Sequence, residues 1–378
     1  MNLLFVTRFY PDSRIGGIER VTGILARYFH QQGIAVHCLF FEKSDYDGSL
    51  GEIVQAHHLV DLYNKVWLKE YLLNHQIDIV INQSHFFYTP FLASVAHEVG
   101  AKLITCCHSS TSMKTLDKNS ALKQSRGLKK MVIGLVYPLF RAWSERKLKR
   151  IHQLSFENSD QTIVLSKSIK DEYASNLGIN PNNPKLGYIS NPLSFAGEIS
   201  EEEIKQKENI VLVVARLYEP QKRLSLLFDV WKQVQRDDRK LIVVGDGEDR
   251  ELYEKIVSDL QLKNVSFEGV QNPLPYYRKA KIFAMTSSWE GLPMTILESL
   301  QMGVVPIVLD SFAAAKDMIE DGVNGFLVKD KYAFARNMNG LMVDALLWKK
   351  MSFIALSSSC NYQMSEIGNN WLNLFKRL

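Results

Sequence analysis

Short apolar runs alternate with stretches of helical period along the whole of this chain. In the first half, six runs read as strands: Asn2–Thr7, Ala35–Phe40, Asp78–Asn82, Lys102–Cys106, Gln161–Leu165 and Leu186–Ser190. The second half repeats the pattern with Asn209–Ala215, Lys240–Gly245, Val265–Phe267, Ile282–Thr286, Val304–Val308 and Gly325–Val328. Between the first two runs Ile18, Val21, Leu25 and Tyr28 fall on one helical face, and after Gly247 so do Leu252, Ile256 and Leu260. Strands separated by amphipathic helices make βαβ units, so the pattern predicts an α/β fold with two open parallel sheets in tandem. At 378 residues the chain is also too long for one ordinary core. Asn191-Pro192, followed by the acidic stretch Gly197–Glu208, reads as the join, which gives a first domain of 1–191 and a second of 192–362. Sheets of this kind bind ligands at the carboxyl ends of their strands, where the two domains would face one another.

Composition narrows the picture. With 46% hydrophobic and 23% charged residues the chain is globular, and a net charge of +4 is too mild to point to nucleic acid. Cys38, Cys106, Cys107 and Cys360 have neither disulfide-framework nor zinc spacing, which suits a reducing compartment. Only Leu3-Leu-Phe-Val6 is apolar before Arg8 interrupts, so no secretory leader is expected, and no run approaches a membrane span. A cytoplasmic protein is the expectation.

The loops at the strand ends carry the candidate chemistry. Glu290-Gly-Leu-Pro-Met-Thr-Ile-Leu-Glu298 follows one strand and opens a helix from Met294 to Met302, closed by Gly303. A helix start offers unpaired N–H groups that suit phosphate, here around Gly291, Leu292, Met294 and Thr295. Glu290 before that start and Glu298 one turn inside it could take hydroxyls from the two sugars of a nucleotide-sugar. Alone, such a pair would be two ordinary solvated acids; the surrounding residues change its meaning. Arg216 at a strand end and Lys222 at the next helix place two cations over one loop, where a departing diphosphate gathers charge.

Gly245-Asp-Gly247 ends a strand, but a nicotinamide fingerprint would need a glycine where Arg250 stands. Gly16 and Gly17 follow the first strand and allow a close backbone approach to a ligand. Read alone, His108 is a hydrogen-bonded structural residue and Val270 an ordinary strand end. The nine histidines show no H-x-H or H-E-x-x-H spacing, and Asp45-Tyr-Asp47 reads as a solvated turn, so no metal cofactor is expected.

With these motifs on the page, the chain resembles the retaining GT-B glycosyltransferases of family 4, whose E-x7-E signature matches Glu290 and Glu298. The resemblance implies two Rossmann-like domains facing a central cleft, the first binding the acceptor and the second the donor. It implies a last helix, about 363–378 with Trp371 and Phe375, that returns to the first domain. It assigns Arg216 and Lys222 to the diphosphate, with the adjacent Arg223 as the alternative to Lys222, Glu290 to the donor-sugar hydroxyls and Glu298 to the ribose. Gly16, Gly17, Gly245, Val270, Gly291, Leu292, Met294 and Thr295 would line the donor, and His108 would stand near the sugar and the acceptor. It also implies metal independence and a donor that is a nucleotide-sugar, in most cases a UDP-hexose or UDP-N-acetylhexosamine. Ser311-Phe-Ala-Ala-Ala315 departs from the family's Gly-Gly turn.

Lys114 to Arg150 carries eleven Lys or Arg around the apolar Met131–Phe140. It reads either as a helix lying on an anionic membrane surface or as a core helix with a solvated basic flank. The expected function is therefore transfer of a sugar to a glycan or glycolipid acceptor, by a peripheral protein on the inner face of the cell membrane. Two other readings remain open: a nucleotide-sugar epimerase or hydrolase on the same frame, and a non-catalytic scaffold of polysaccharide assembly.

Overall fold

The computed structural model describes residues 1–11, 16–42, 50–51, 54–58, 63–84, 86–108 and 128–378, the side chains of 128–136 and 140 excepted. Chain contacts divide it into two compact units: Met1–Thr111 with Pro138–Ser194 and Gln363–Leu378, and a second built on Phe195–Tyr362.

The first unit holds a seven-stranded parallel sheet. Its strands are β1 (Asn2–Thr7), β2 (Ala35–Phe40), β3 (Val54–His58), β4 (Ile79–Asn82), β5 (Lys102–Cys107), β6 (Gln161–Val164) and β7 (Leu186–Tyr188), in the order β3-β2-β1-β4-β5-β6-β7. Leu3, Leu4, Phe5 and Val6 are all fully buried, as befits a central strand covered on both faces. The helix Gly17–Gln31 buries Val21, Leu25, Ala26 and Phe29. The last helix, Met364–Phe375, lies against it: Phe375 meets Phe29 at 5.3 Å, and a Cβ at Gly368 would come within 2.2 Å of the Tyr28 ring.

β3 is the strand that the hydrophobic pattern does not predict. Its sequence, Val-Gln-Ala-His-His, is polar because it lies at the sheet edge, and its pairing to β2 is made by backbone groups that any residue supplies.

The second unit holds six parallel strands: β8 (Glu208–Val214), β9 (Lys240–Val244), β10 (Val265–Gly269), β11 (Ala280–Met285), β12 (Val305–Leu309) and β13 (Phe326–Val328). Their order is β10-β9-β8-β11-β12-β13, the doubly wound arrangement that reverses direction between β8 and β11. The acidic stretch 197–208 is no bare tether. Ile199 and Ile204 are buried, Ser200 and Glu203 form a capping box, and Lys207 donates to the carbonyls of Tyr277 (2.6 Å) and Arg278 (3.1 Å). Among the described residues no helix is long and apolar enough to cross a membrane.

Candidate functional site

The strand order reverses between β8 and β11, and in such a sheet ligands usually sit outside the carboxyl ends of the strands at that point. From β8 the chain runs through Arg216 into the short helix Glu219–Lys222, then turns at Arg223 into the helix Leu224–Val234. From β11 it runs through Thr286–Pro293 into the helix Met294–Gln301, whose N-terminus no side chain caps.

The two loops are tied together. Thr286 Oγ1 donates to the carbonyls of Lys222 (2.8 Å) and Arg223 (3.1 Å), and Ser288 N–H donates to the Gln221 carbonyl (2.7 Å). Within this frame Lys222 Nζ donates to Glu290 Oε1 at 2.6 Å, with the side chains only 16% and 10% exposed. Gln221 Nε2 takes the other carboxylate oxygen at 3.3 Å and the Trp289 carbonyl at 3.2 Å. Charge pairing at this low exposure is far less screened than on the surface. Gln221 was missed by sequence reasoning; its one signal is its place beside Lys222.

Arg216 does not join this group. Its side chain is 72% exposed, pairs with Glu248 at 3.1 Å and lies 5.7 Å from the Tyr218 ring. Of the expected pair of cations, Lys222 meets Glu290 and Arg216 pairs with Glu248 instead. Glu298 and Met294 are buried within the helix Met294–Gln301 and Leu292 is buried just before it, while Gly291 is half-buried and the Thr295 carbonyl accepts from Tyr277 Oη at 3.1 Å.

Gly245 has φ 128°, and a Cβ there would stand 1.9 Å from the Ala215 carbonyl; one at Gly247 would stand 2.4 Å from that of Leu217. These glycines bring the β9 loop onto the β8 loop, so what presses on them is the chain's own backbone. Val270 is exposed just past β10.

In the first unit, a Cβ at Gly16 would meet the Glu19 carboxylate at 2.8 Å, and Gly17 opens the first helix. Burial holds the Glu19 carboxyl above its usual range, opposed by its own backbone N–H and by Arg8. His108, past the end of β5, is half-buried, and its Nε2 meets Oε1 of the buried Gln83, past the end of β4. Burial pushes the imidazole down to about 4, so it is neutral near pH 7. Gln83 Nε2 has no hydrogen-bond partner among the described residues. Asp45 and Asp47 lie outside the described residues. So do Lys114, Lys118, Lys123 and Arg126, and the side chains of Lys129 and Lys130.

Comparison with known proteins fits this arrangement. The model of glycosyl transferases group 1 matches residues 196–353, and that of Glycosyltransferase Family 4 matches 15–192. A Campylobacter jejuni protein is 31% identical over 64% of this chain and 69% of its own length. It is named GalNAc-alpha-(1->4)-GalNAc-alpha-(1->3)-diNAcBac-PP-undecaprenol alpha-1,4-N-acetyl-D-galactosaminyltransferase. The lipopolysaccharide 1,6-galactosyltransferase of Salmonella typhimurium is 25% identical over 83% of this chain and 82% of its own. Among solved structures, HepE of Anabaena in complex with UDP superposes with a TM-score of 0.78 at 16% identity, covering all of both chains. The outer-core galactosyltransferase WaaB gives 0.73 at 20% identity, again over the full length of both.

Proposed function

The chain belongs to the group 1 glycosyl transferases of GT-B fold, and we propose that within them it transfers a hexose or N-acetylhexosamine from a UDP-sugar, with retention, to a lipid-linked surface glycan. The observation that carries this reading is the Lys222–Glu290 pair, 2.6 Å apart at the switch point of the second sheet. The relatives' names support the acceptor class, since one acts on an undecaprenol-linked glycan and another on lipopolysaccharide. UDP in a structural neighbour supports the nucleotide.

In this reading Lys222 faces the diphosphate and Glu290 holds hydroxyls of the donor sugar. Charge grows on the phosphate oxygen as its bond to the anomeric carbon breaks, so a fixed cation there stabilises the transition state more than the ground state. The acceptor hydroxyl attacks from the same face, and its proton passes to the departing phosphate oxygen. Gln221 and Lys222 fix the Glu290 carboxylate before substrate arrives, which is the preorganisation such catalysis needs. Arg216 reaches the diphosphate in this reading only by leaving Glu248. The charge work is assigned to Lys222 and the start of the helix Met294–Gln301, so no metal is invoked.

The helix Leu128–Asn158 supports membrane contact. Leu139 and Trp143 are exposed one turn apart, with Lys147 5.1 Å from the Trp143 ring and Arg146, Lys149 and Arg150 close by in sequence. An exposed Trp beside cations suits the headgroup layer of an anionic bilayer, which supports the reading of a peripheral protein on the inner face of the cell membrane.

Lys222→Ala and Glu290→Ala are expected to lower transfer from a UDP-sugar by about 100-fold or more, with native circular dichroism retained. Near-normal turnover by either variant would refute the assignment.

A further inference from the structure

At the carboxyl edge of the first sheet, aromatic side chains collect at the border of the core, with Phe41 and Tyr88 partly buried against it. Phe41 follows β2, Phe86–Tyr88 form a turn after β4, and Tyr63 precedes the helix Lys65–Asn74. The Tyr88 ring centroid lies 5.1 Å from Phe41, 4.5 Å from Phe87 and 5.7 Å from Tyr63. Yet Phe87 stays 45% exposed and Tyr63 57%. Two large rings left this exposed, both against the partly buried Tyr88 ring, mark a candidate binding surface.

The rim of this surface is charged. Arg8, at the end of β1, pairs with Glu42 at 2.8 Å, and both side chains are nearly half exposed. Both act on the Tyr88 phenol, which is raised chiefly by burial, then by Tyr63 and Glu42, with Arg8 opposing. The sheet reverses its order between β1 and β4, so Arg8 and the Phe86–Tyr88 turn leave from its switch point.

We propose that Phe87, Tyr63 and Tyr88 form a stacking platform for a sugar ring of the acceptor glycan, with Arg8 and Glu42 taking its hydroxyls. The assignment rests on the glycan-transfer reading given above. A pyranose has an apolar C–H face and a polar equator, and this surface offers ring faces bordered by a donor and an acceptor of hydrogen bonds. A lipid tail has no use for the ion pair, and a phosphate would meet the Glu42 carboxylate.

The test uses the full-length chain and a soluble panel of α-linked disaccharides of galactose, glucose, N-acetylgalactosamine and N-acetylglucosamine, titrated by saturation-transfer NMR. At least one disaccharide is expected to bind the wild type. Phe87→Ala and Tyr63→Ala should each weaken it about tenfold, while Phe87→Trp, which keeps a ring, stays within about threefold. Leu346→Ala, more exposed still but on the second unit, should change nothing. No binding by the wild type, or unchanged binding by both alanine variants, overturns the platform. Binding to neutral phosphatidylcholine vesicles that is lost in the same variants, with no disaccharide bound, overturns it in favour of a lipid surface. UDP affinity, measured in parallel, should be equal in all variants. Its absence in the wild type counts against the donor reading and leaves the disaccharide result standing by itself.

Discussion

Both carboxylate oxygens of Glu290 are occupied, one by Lys222 and one by Gln221. Gln221 therefore does for orientation what Lys222 does for charge. Gln221→Leu removes the bonds to Glu290 and to the Trp289 carbonyl, each worth about 1 kcal/mol net. Transfer by that variant should fall by about tenfold in kcat with little change in donor KM, read by steady-state kinetics. Next to it, Arg223 holds φ 50° and ψ 45°, a left-handed conformation in which a residue with a Cβ is strained. Arg223→Gly should raise stability by about 1 kcal/mol in urea unfolding. Lys222, Glu290 and Glu298 were legible as residues because their spacing and flanking glycine and proline are local facts. The partner of Arg216 was not: Glu248 lies 32 positions away and comes near only when the β9 loop packs on the β8 loop.

At the scale of elements, buried histidines make the first unit sensitive to acid. His37 on β2 is buried, its Nδ1 is 3.0 Å from Tyr71 Oη, and His75 and His57 stand close by. His152, in the helix Leu128–Asn158, stacks 3.9 Å from Phe86, and neither ring nitrogen has a partner among the described residues. Burial pushes both imidazoles down to about 4. Unfolded, each would titrate near 6.5, so between pH 6.5 and 4 the unfolded chain binds more protons than the folded one. The histidine contribution should be constant above pH 7, and stability should fall progressively as pH drops through that window, followed by urea midpoints at pH 7.5, 6, 5 and 4.5. His152→Phe keeps the ring stack and should flatten the slope. Most strands were legible at this scale, since apolar runs flanked by helical periods leave few other folds. The edge strand β3 was hidden because backbone pairing leaves no mark in side-chain chemistry.

For the molecule as a whole, the membrane reading turns on the helix Leu128–Asn158. The triple variant Trp143→Ser, Arg146→Glu, Lys147→Glu should lose most sedimentation with vesicles containing anionic lipid at low salt, while the wild type remains bound. Equal sedimentation of both proteins would remove that reading and leave the donor site untouched. Specific binding of UDP should raise the melting temperature of both proteins alike, by mass action on the native state.

The sequence alone determined that two parallel α/β sheets would form and which loops would carry the acids and cations, because periodicity and turn chemistry act over a few neighbouring residues. Tertiary structure decided which of those charges meet. Lys222 reaches Glu290 across 68 positions since β8 and β11 are neighbours, Arg216 turns to Glu248, and the exposed aromatic group becomes a surface only when β1, β2 and β4 lie side by side. Such pairings depend on strand order and register, which are set by packing over distances that local sequence does not encode.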